Sequence, residues 1–447
     1  MNAAAPVPAP PAQPTGTAPR LARAWRSAES LCIRCGFCLP ACPTYRETGH
    51  EVSSPRGRLE LMYRAAQGTL AVQDIRHELW FCLGCLACET ACPSGIRFHD
   101  MLEAARADDA AQQRARQGAS WLKRTLLNRL LVVPGRLWAV AWALFLLRRS
   151  GLRWLLGGHG LLRLLSSRLA RLERRAPPFP APRAWRARAQ AWLAPGGGRV
   201  GEGSDARAVA MLSGCVMDAV FGRVHAATAK VLHANGCAVH LPAGQVCCGA
   251  LHHHAGEEDD ARTLARRNIA AFEALGDAPV IVDSAGCGAM LKDYGRLLAD
   301  DPAWAERAGR FAARVRDVCE FLDAQPLRPP TRPVPLRVAY DDPCHLLHAQ
   351  KIGQAPRRLL AAVPGLQVVP LAEADWCCGS AGSYSLLQPE MSQRLLARKM
   401  RHIRDSGAEV VATGNPGCLL QLALGARDAH LPVRIAHPVE LLADAYE

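Results

Sequence analysis

The sequence predicts an α + α/β chain: an all-helical N-terminal domain followed by two repeated α/β lobes with parallel sheets. Three observations predict it. A four-cysteine motif occurs twice in the first hundred residues, with helix signals between the copies. A second cysteine pattern then recurs twice in the C-terminal half. Around it, short apolar runs alternate with amphipathic stretches, the mark of strands joined by crossover helices.

The first motif is Cys32-x2-Cys35-x2-Cys38-x3-Cys42-Pro43, repeated as Cys82-x2-Cys85-x2-Cys88-x3-Cys92-Pro93. This spacing holds [4Fe–4S] clusters. Three close cysteines wrap one cluster, and the fourth, before proline, reaches the other. Cluster 1 is expected on Cys32, Cys35, Cys38 and Cys92, and cluster 2 on Cys82, Cys85, Cys88 and Cys42. Zinc sites use paired knuckles and leave the third cysteine surplus. A disulfide framework suits a small secreted chain. The motif therefore assigns electron transfer to residues 21–110, read as a helical two-cluster ferredoxin domain. The insert between the motifs reads as helix: Ser53-Ser54-Pro55 caps it, and Leu59, Leu61, Met62 and Ala65 give it an apolar face.

A chain of 447 residues accommodates about three domains. Residues 1–20 are Ala/Pro-rich, have no basic side chain before Arg20, and read as a disordered tail rather than a signal peptide. Many thiols without an export signal fit a reducing cytoplasm.

Residues 111–204 read as a basic helical segment and linker. The net charge of +14 concentrates here: residues 121–200 hold 16 Lys and Arg against one acid, Glu173, and six of the ten tryptophans. Such composition suits an interfacial helix on an anionic bilayer, or a basic face docked on an acidic partner subunit. The longest apolar run, Leu137 to Leu147, is 11 residues, against the roughly 20 needed to span a bilayer. Nothing else in the chain supports nucleic-acid binding. Gly196-Gly197-Gly198-Arg199-Val200-Gly201 imitates a dinucleotide fingerprint, but it follows prolines and precedes a strand, the reverse of the true context.

The repeat divides the remainder into lobes at 205–330 and 331–447. Cys215, Cys247-Cys248-Gly249 and Cys287 are matched by Cys344, Cys377-Cys378-Gly379 and Cys418, with gaps of 32 and 39 residues in one copy and 33 and 40 in the other. Strands are expected at Val209–Leu212, Val239–Leu241, Val280–Val282, Leu336–Tyr340, Val368–Leu371 and Val410–Ala412, with helices such as Phe221–His233 and Pro389–Arg404 between them. Cys215, Cys287, Cys344 and Cys418 then follow strand C-terminal ends, where open α/β sheets place their sites, and the two sets are expected to face a common crevice. Further clusters are possible on Cys215, Cys247, Cys248 and Cys287, and on Cys344, Cys377, Cys378 and Cys418; a thiol/disulfide site is the alternative. His252, His253 and His254, and His345 and His348, stand near these sets as second ligands, proton carriers or loop residues. Cys237 and Cys319 have no repeat mate and read as buried thiols.

From about residue 30 to the C-terminus the chain resembles the iron–sulfur subunit family of bacterial glycolate oxidase. The resemblance rests on the two ferredoxin motifs, Ser54-Pro55-Arg56-Gly57-Arg58, Cys247-Cys248-Gly249-Ala250-Leu251, Ser284-Ala285-Gly286-Cys287-Gly288, Asp342-Pro343-Cys344-His345 and Cys377-Cys378-Gly379-Ser380-Ala381-Gly382-Ser383-Tyr384. The Cys-Cys-Gly repeat alone is broader. It is shared with the heterodisulfide reductase cluster subunit, a lactate-utilisation subunit and the third subunit of anaerobic glycerol-3-phosphate dehydrogenase.

The resemblance implies a complex in which flavin-containing subunits oxidise glycolate to glyoxylate. Electrons leave through this chain toward quinone, on the inner face of the cytoplasmic membrane. The chain has no flavin or nicotinamide fingerprint, so the hydroxy-acid chemistry belongs to a partner. It departs from the heterodisulfide reductase pattern at Met290 and Gln421, which stand where each copy there ends in a second cysteine. The competing readings are a D-lactate or glycerol-3-phosphate dehydrogenase iron–sulfur subunit, a thiol/disulfide reductase subunit, and a scaffold with structural metals.

Overall fold

The computed structural model describes residues 18–28, 32–118 and 207–446, with isolated positions between 132 and 146. Most of the expected tail, the basic segment with its tryptophans and the Gly196–Gly201 run lie outside the described residues. The chain divides into two units. The first comprises residues up to Ser120 with His253–Glu257, and the second the remainder.

The first unit is helical, with helices Pro19–Arg26, Pro43–Thr48, Pro55–Ala66, Arg76–Phe81, Ala87–Thr90 and Phe98–Gln117. Its central helix starts as its sequence dictates. Ser54 caps it by accepting from Gly57 N at 2.9 Å, and Pro55 occupies the first turn, where no donor is needed. Gly57 is required: a Cβ there would lie 2.1 Å from the Glu51 carbonyl oxygen, because the turn Glu51–Ser53 folds back on the helix. Leu59, Met62 and Ala65 bury one stripe against Leu21, Leu79, Met101 and Leu102. Each such large side chain contributes about 1.5–3 kcal/mol on full burial. Asp108 ties the first helix to the last by accepting from Leu21 N at 3.0 Å. The first helix opens at Pro19, inside the expected 1–20 tail. The last crosses the expected boundary at 110 and runs to Gln117, with Arg116 donating to Gln73 Oε1 in its final turn.

The second unit contains two four-stranded, all-parallel sheets of matching topology. β1 (Arg207–Met211), β2 (Cys237–His240), β3 (Val280–Val282) and β4 (Val315–Asp317) lie in the order β2-β1-β3-β4. β5 (Arg337–Tyr340), β6 (Gln367–Val369), β7 (Val410–Ala412) and β8 (Arg434–Ala436) lie in the order β6-β5-β7-β8. The register pairs Val209 with Val239 and Ala210 with Val280, and equivalently Val338 with Val368 and with Val410. In each sheet the strand order reverses between the first and third strands. That is the switch point where loops part and leave a crevice. A shared apolar core, including Val209, Phe221, Val318, Leu346, Leu359 and Leu442, joins the two lobes.

The six expected strands all form, two with the expected bounds. The edge strand β6 ends at Val369 rather than Leu371, and β2 at His240 rather than Leu241. The sequence reading missed β4 and β8. Each is three residues long and carries a charge, so neither shows an apolar run. The two expected helices run Gly222–Ala234 and Pro389–Ser406.

Candidate metal centres

Two small cavities lie in the first unit. One is lined by Cys32, Cys35, Cys38 and Cys92, and the other by Cys42, Cys82 and Cys85; Cys88 borders both. The two cysteine loops share one backbone path. Arg34 and Gly36 take positive φ in the first, and Gly84 and Leu86 at the same positions in the second. This alternation turns successive thiols toward one point, and at Arg34 and Leu86 the chain holds a left-handed conformation that glycine alone adopts freely. Burial raises the pKa of Cys38 and pushes that of Cys88 well above its ordinary value, with neighbouring thiols adding to the effect. Thiols crowded in this way raise one another's pKa. A bound metal resolves the crowding by taking them as thiolates, so the donor sets fit iron–sulfur clusters.

Arg58 supports this arrangement. It is buried at 1% exposure, with Nη1 4.0 Å from Cys42 Sγ and 3.0 Å from Thr44 Oγ1, Nη2 3.1 Å from Glu78 Oε2, and Nε donating to the Glu78 carbonyl. It fixes the cysteine that reaches across from the other motif.

In the second unit each set of four thiols converges at its sheet's switch point. Cys215 precedes helix Val216–Val220 beyond β1, and Cys287 lies in the first turn of helix Ala285–Lys292 beyond β3. Cys215 Sγ is 3.4 Å from Cys247 Sγ, and Cys248 approaches both Cys247 and Cys287. In the second lobe Cys344 follows β5 and Cys418 follows β7. Cys378 Sγ is 3.5 Å from Cys418 Sγ, and Cys377 bridges Cys344 and Cys378. Contacts among the thiols hold Cys247, Cys344 and Cys378 well below the ordinary thiol value and push Cys215, Cys248, Cys377 and Cys418 well above it. Contact thus splits each set, favouring the thiolate at Cys247 in the first and at Cys344 and Cys378 in the second. Gly379 makes its turn possible: its φ is +81°, and a Cβ would sit 2.7 Å from the Ser392 carbonyl oxygen.

The two sets adjoin across the lobe boundary. Asn415 Oδ1 accepts from Gly286 N at 3.1 Å while its Nδ2 lies 3.7 Å from Cys418 Sγ. Ala285 N donates to the Gly414 carbonyl at 3.0 Å.

The lobes differ in what backs the thiols. In the first, Asn268 donates to the Cys247 carbonyl and accepts from Val246 N, and Tyr294 donates to the Cys248 carbonyl at 2.7 Å. In the second, the position of Asn268 is taken by Lys399, which donates to the carbonyls of Glu373 and Ala374 and pairs with Asp341. His345 Nδ1 lies 3.4 Å from Cys344 Sγ, and His348 is buried with its pKa lowered by that burial. His252 is fully buried; His253 and His254 are half-exposed and belong with the first unit. Cys237 and Cys319 sit in the apolar core. Sequence reasoning gave no role to Arg58, Asn268, Tyr294 or Lys399. Arg58 and Lys399 had a legible signal, a cation on the buried stripe of an amphipathic helix.

Paired cavities walled by the eight motif cysteines, in a chain that also carries two thiol-bearing α/β lobes, define an iron–sulfur electron-transfer protein. Residues 29–96 match the 4Fe-4S dicluster domain, and residues 209–292 and 338–423 each match the cysteine-rich domain. Residues 118–176 match the linker region of the glycolate oxidase iron-sulfur subunit. The chain is 38% identical over 420 residues to the probable glycolate oxidase iron-sulfur subunit of Bacillus subtilis (strain 168), covering 93% of each chain. It is 31% identical to the glycolate oxidase iron-sulfur subunit of Escherichia coli (strain K12), covering 93% of this chain and 94% of that one. Lactate utilization protein A of Exiguobacterium sp. is 32% identical over 235 residues, which is 52% of this chain and 96% of that one. The chain belongs to the family of glycolate oxidase iron–sulfur subunits. It carries iron–sulfur clusters and acts as an electron-transfer subunit of an oxidoreductase complex.

Proposed function

We propose that this chain accepts electrons from a flavin-containing subunit that oxidises glycolate to glyoxylate and delivers them toward quinone at the cytoplasmic face of the membrane. The observation that carries the choice of glycolate is coverage. The glycolate oxidase relatives span 93% of the chain, and its residues 118–176 match the linker region of that subunit, whereas the lactate-utilisation relative spans about half. Bound iron–sulfur clusters supply one-electron carriers, which the two-electron chemistry of a flavin requires if its electrons are to travel singly.

Cys32, Cys35, Cys38 and Cys92 are the proposed ligands of one [4Fe–4S] cluster, and Cys82, Cys85, Cys88 and Cys42 of the other. The cavity lining and the matching backbone turns support both assignments. The compact thiol sets support a further centre in each lobe, on Cys215, Cys247, Cys248 and Cys287, and on Cys344, Cys377, Cys378 and Cys418. Among the described residues no helix is long and apolar enough to cross a membrane. The charge and tryptophans of the basic segment at 121–175 support docking there, on the membrane face or on an acidic partner.

Gene deletion tests the reading. It is expected to abolish growth on glycolate and dye-linked glycolate oxidation in extracts. Loss of D-lactate oxidation with glycolate oxidation intact would move the assignment to the lactate relative.

A further inference from the structure

We infer that His252 is a nitrogen ligand of the metal centre in the first lobe, making that centre chemically distinct from its repeat mate. The inference rests on the reading that Cys215, Cys247, Cys248 and Cys287 hold iron.

His252 has no exposed surface, and both ring nitrogens are buried without a hydrogen bond of regular geometry. A buried imidazole with neither nitrogen in a regular hydrogen bond is costly to the fold unless something absent from the polypeptide binds it. The polar group it approaches is the thiol of Cys247. The ring is a hydrogen-bonding neighbour of that thiol, as are Cys215 and Cys248. The ring thus points into the thiol set. Helix Ala250–His254 begins two residues after Cys248 and carries His252 on its buried side. Position matters as much as burial. Four residues after Cys248 stands His252; four residues after Cys378 stands Gly382, at φ +62° and without a side chain. The second lobe therefore has no counterpart at this position, and its thiols instead face the buried charge of Lys399. Neutral imidazole is an ordinary iron ligand, and replacing thiolate by histidine raises a cluster's potential.

The test uses the full chain purified anaerobically, labelled with 15N-histidine, and partly reduced. Pulsed EPR is expected to show strong nitrogen coupling to one centre. That coupling is expected to vanish in Cys215→Ser together with its signal, and in His252→Cys while the signal and the iron remain. The His252→Cys centre is expected to reduce at lower potential, since a thiolate replaces a neutral donor. Iron well above about eight per chain with no strong nitrogen coupling would overturn the ligand assignment alone. So would coupling that persists in His252→Cys. Iron of about eight, with no centre lost in Cys215→Ser, would remove the lobe centre and the assignment with it.

Discussion

Lys399 sets its ammonium 2.8 Å from the Asp341 carboxylate, and neither side chain meets solvent. Thr413 holds the other carboxylate oxygen at 3.0 Å. Burial still pushes Asp341 up to about 6, while the pair keeps Lys399 charged beside Cys378 and Cys418. The first lobe fills the two equivalent positions with Leu212 and Asn268. Lys399→Met is therefore expected to destabilise the chain by about 3–5 kcal/mol, because it leaves a buried carboxylate uncompensated. Asp341→Leu combined with Lys399→Asn, the first lobe's own solution, is expected to be less destabilised than either single change. Denaturant unfolding of the three variants checks this, and coupling near zero would contradict it.

Arg58 is expected to matter for one cluster more than the other. Arg58→Met removes the cation beside Cys42 and the guanidinium that holds Glu78 Oε2. The iron of the cluster assigned to Cys82, Cys85, Cys88 and Cys42 is expected to fall, with the other cluster's EPR signal retained. Equal loss of both would show that Arg58 serves the domain as a whole.

Crossed ligation has its own signature. Cys42→Ser is expected to damage the cluster of the second motif, and Cys92→Ser that of the first. Power-dependent EPR of the two variants separates the signals. Damage confined to each cysteine's own motif would contradict the cavity linings.

Asp317 links stability to pH. Burial, with Glu320 and Asp283 adding to it and Lys292 opposing it, raises its pKa to about 7. Its unfolded value is about 3.9. The folded chain thus holds the proton more tightly, and the stability this contributes is complete below about pH 4 and lost as pH rises through 7. Asp317→Asn retains an acceptor for Cys319 N, which Asp317 Oδ1 binds at 2.8 Å. The variant is expected to gain stability relative to the parent between pH 5 and 8. Melting curves across that range that stay parallel would contradict the shift.

Much of this was readable from residues alone. Cysteines three apart and followed by Cys-Pro announced the two cavities, and Ser54-Pro55 announced the central helix. Val280–Val282 and Val410–Ala412 were plain because buried parallel strands are continuous apolar runs. β4 and β8 were not, since Val315-Arg316-Asp317 and Arg434-Ile435-Ala436 gain strand character only by pairing with β3 and β7. The Lys399–Asp341 pair was hidden for a different reason. A lysine between Leu396 and Met400 is visibly on a buried stripe, but its partner lies 58 residues away and is chosen by the sheet. His252 looked like one of three equivalent loop histidines until burial separated it from His253 and His254.

The most direct test of the account is reduction of the purified complex by its own substrate. Anaerobic mixing with glycolate is expected to bleach the visible iron–sulfur absorbance and produce the reduced-cluster EPR signals. In Cys42→Ser the flavin is expected still to be reduced while electron delivery to quinone slows by at least tenfold. Reduction by D-lactate but not glycolate, or quinone reduction at the parent rate in Cys42→Ser, would contradict it.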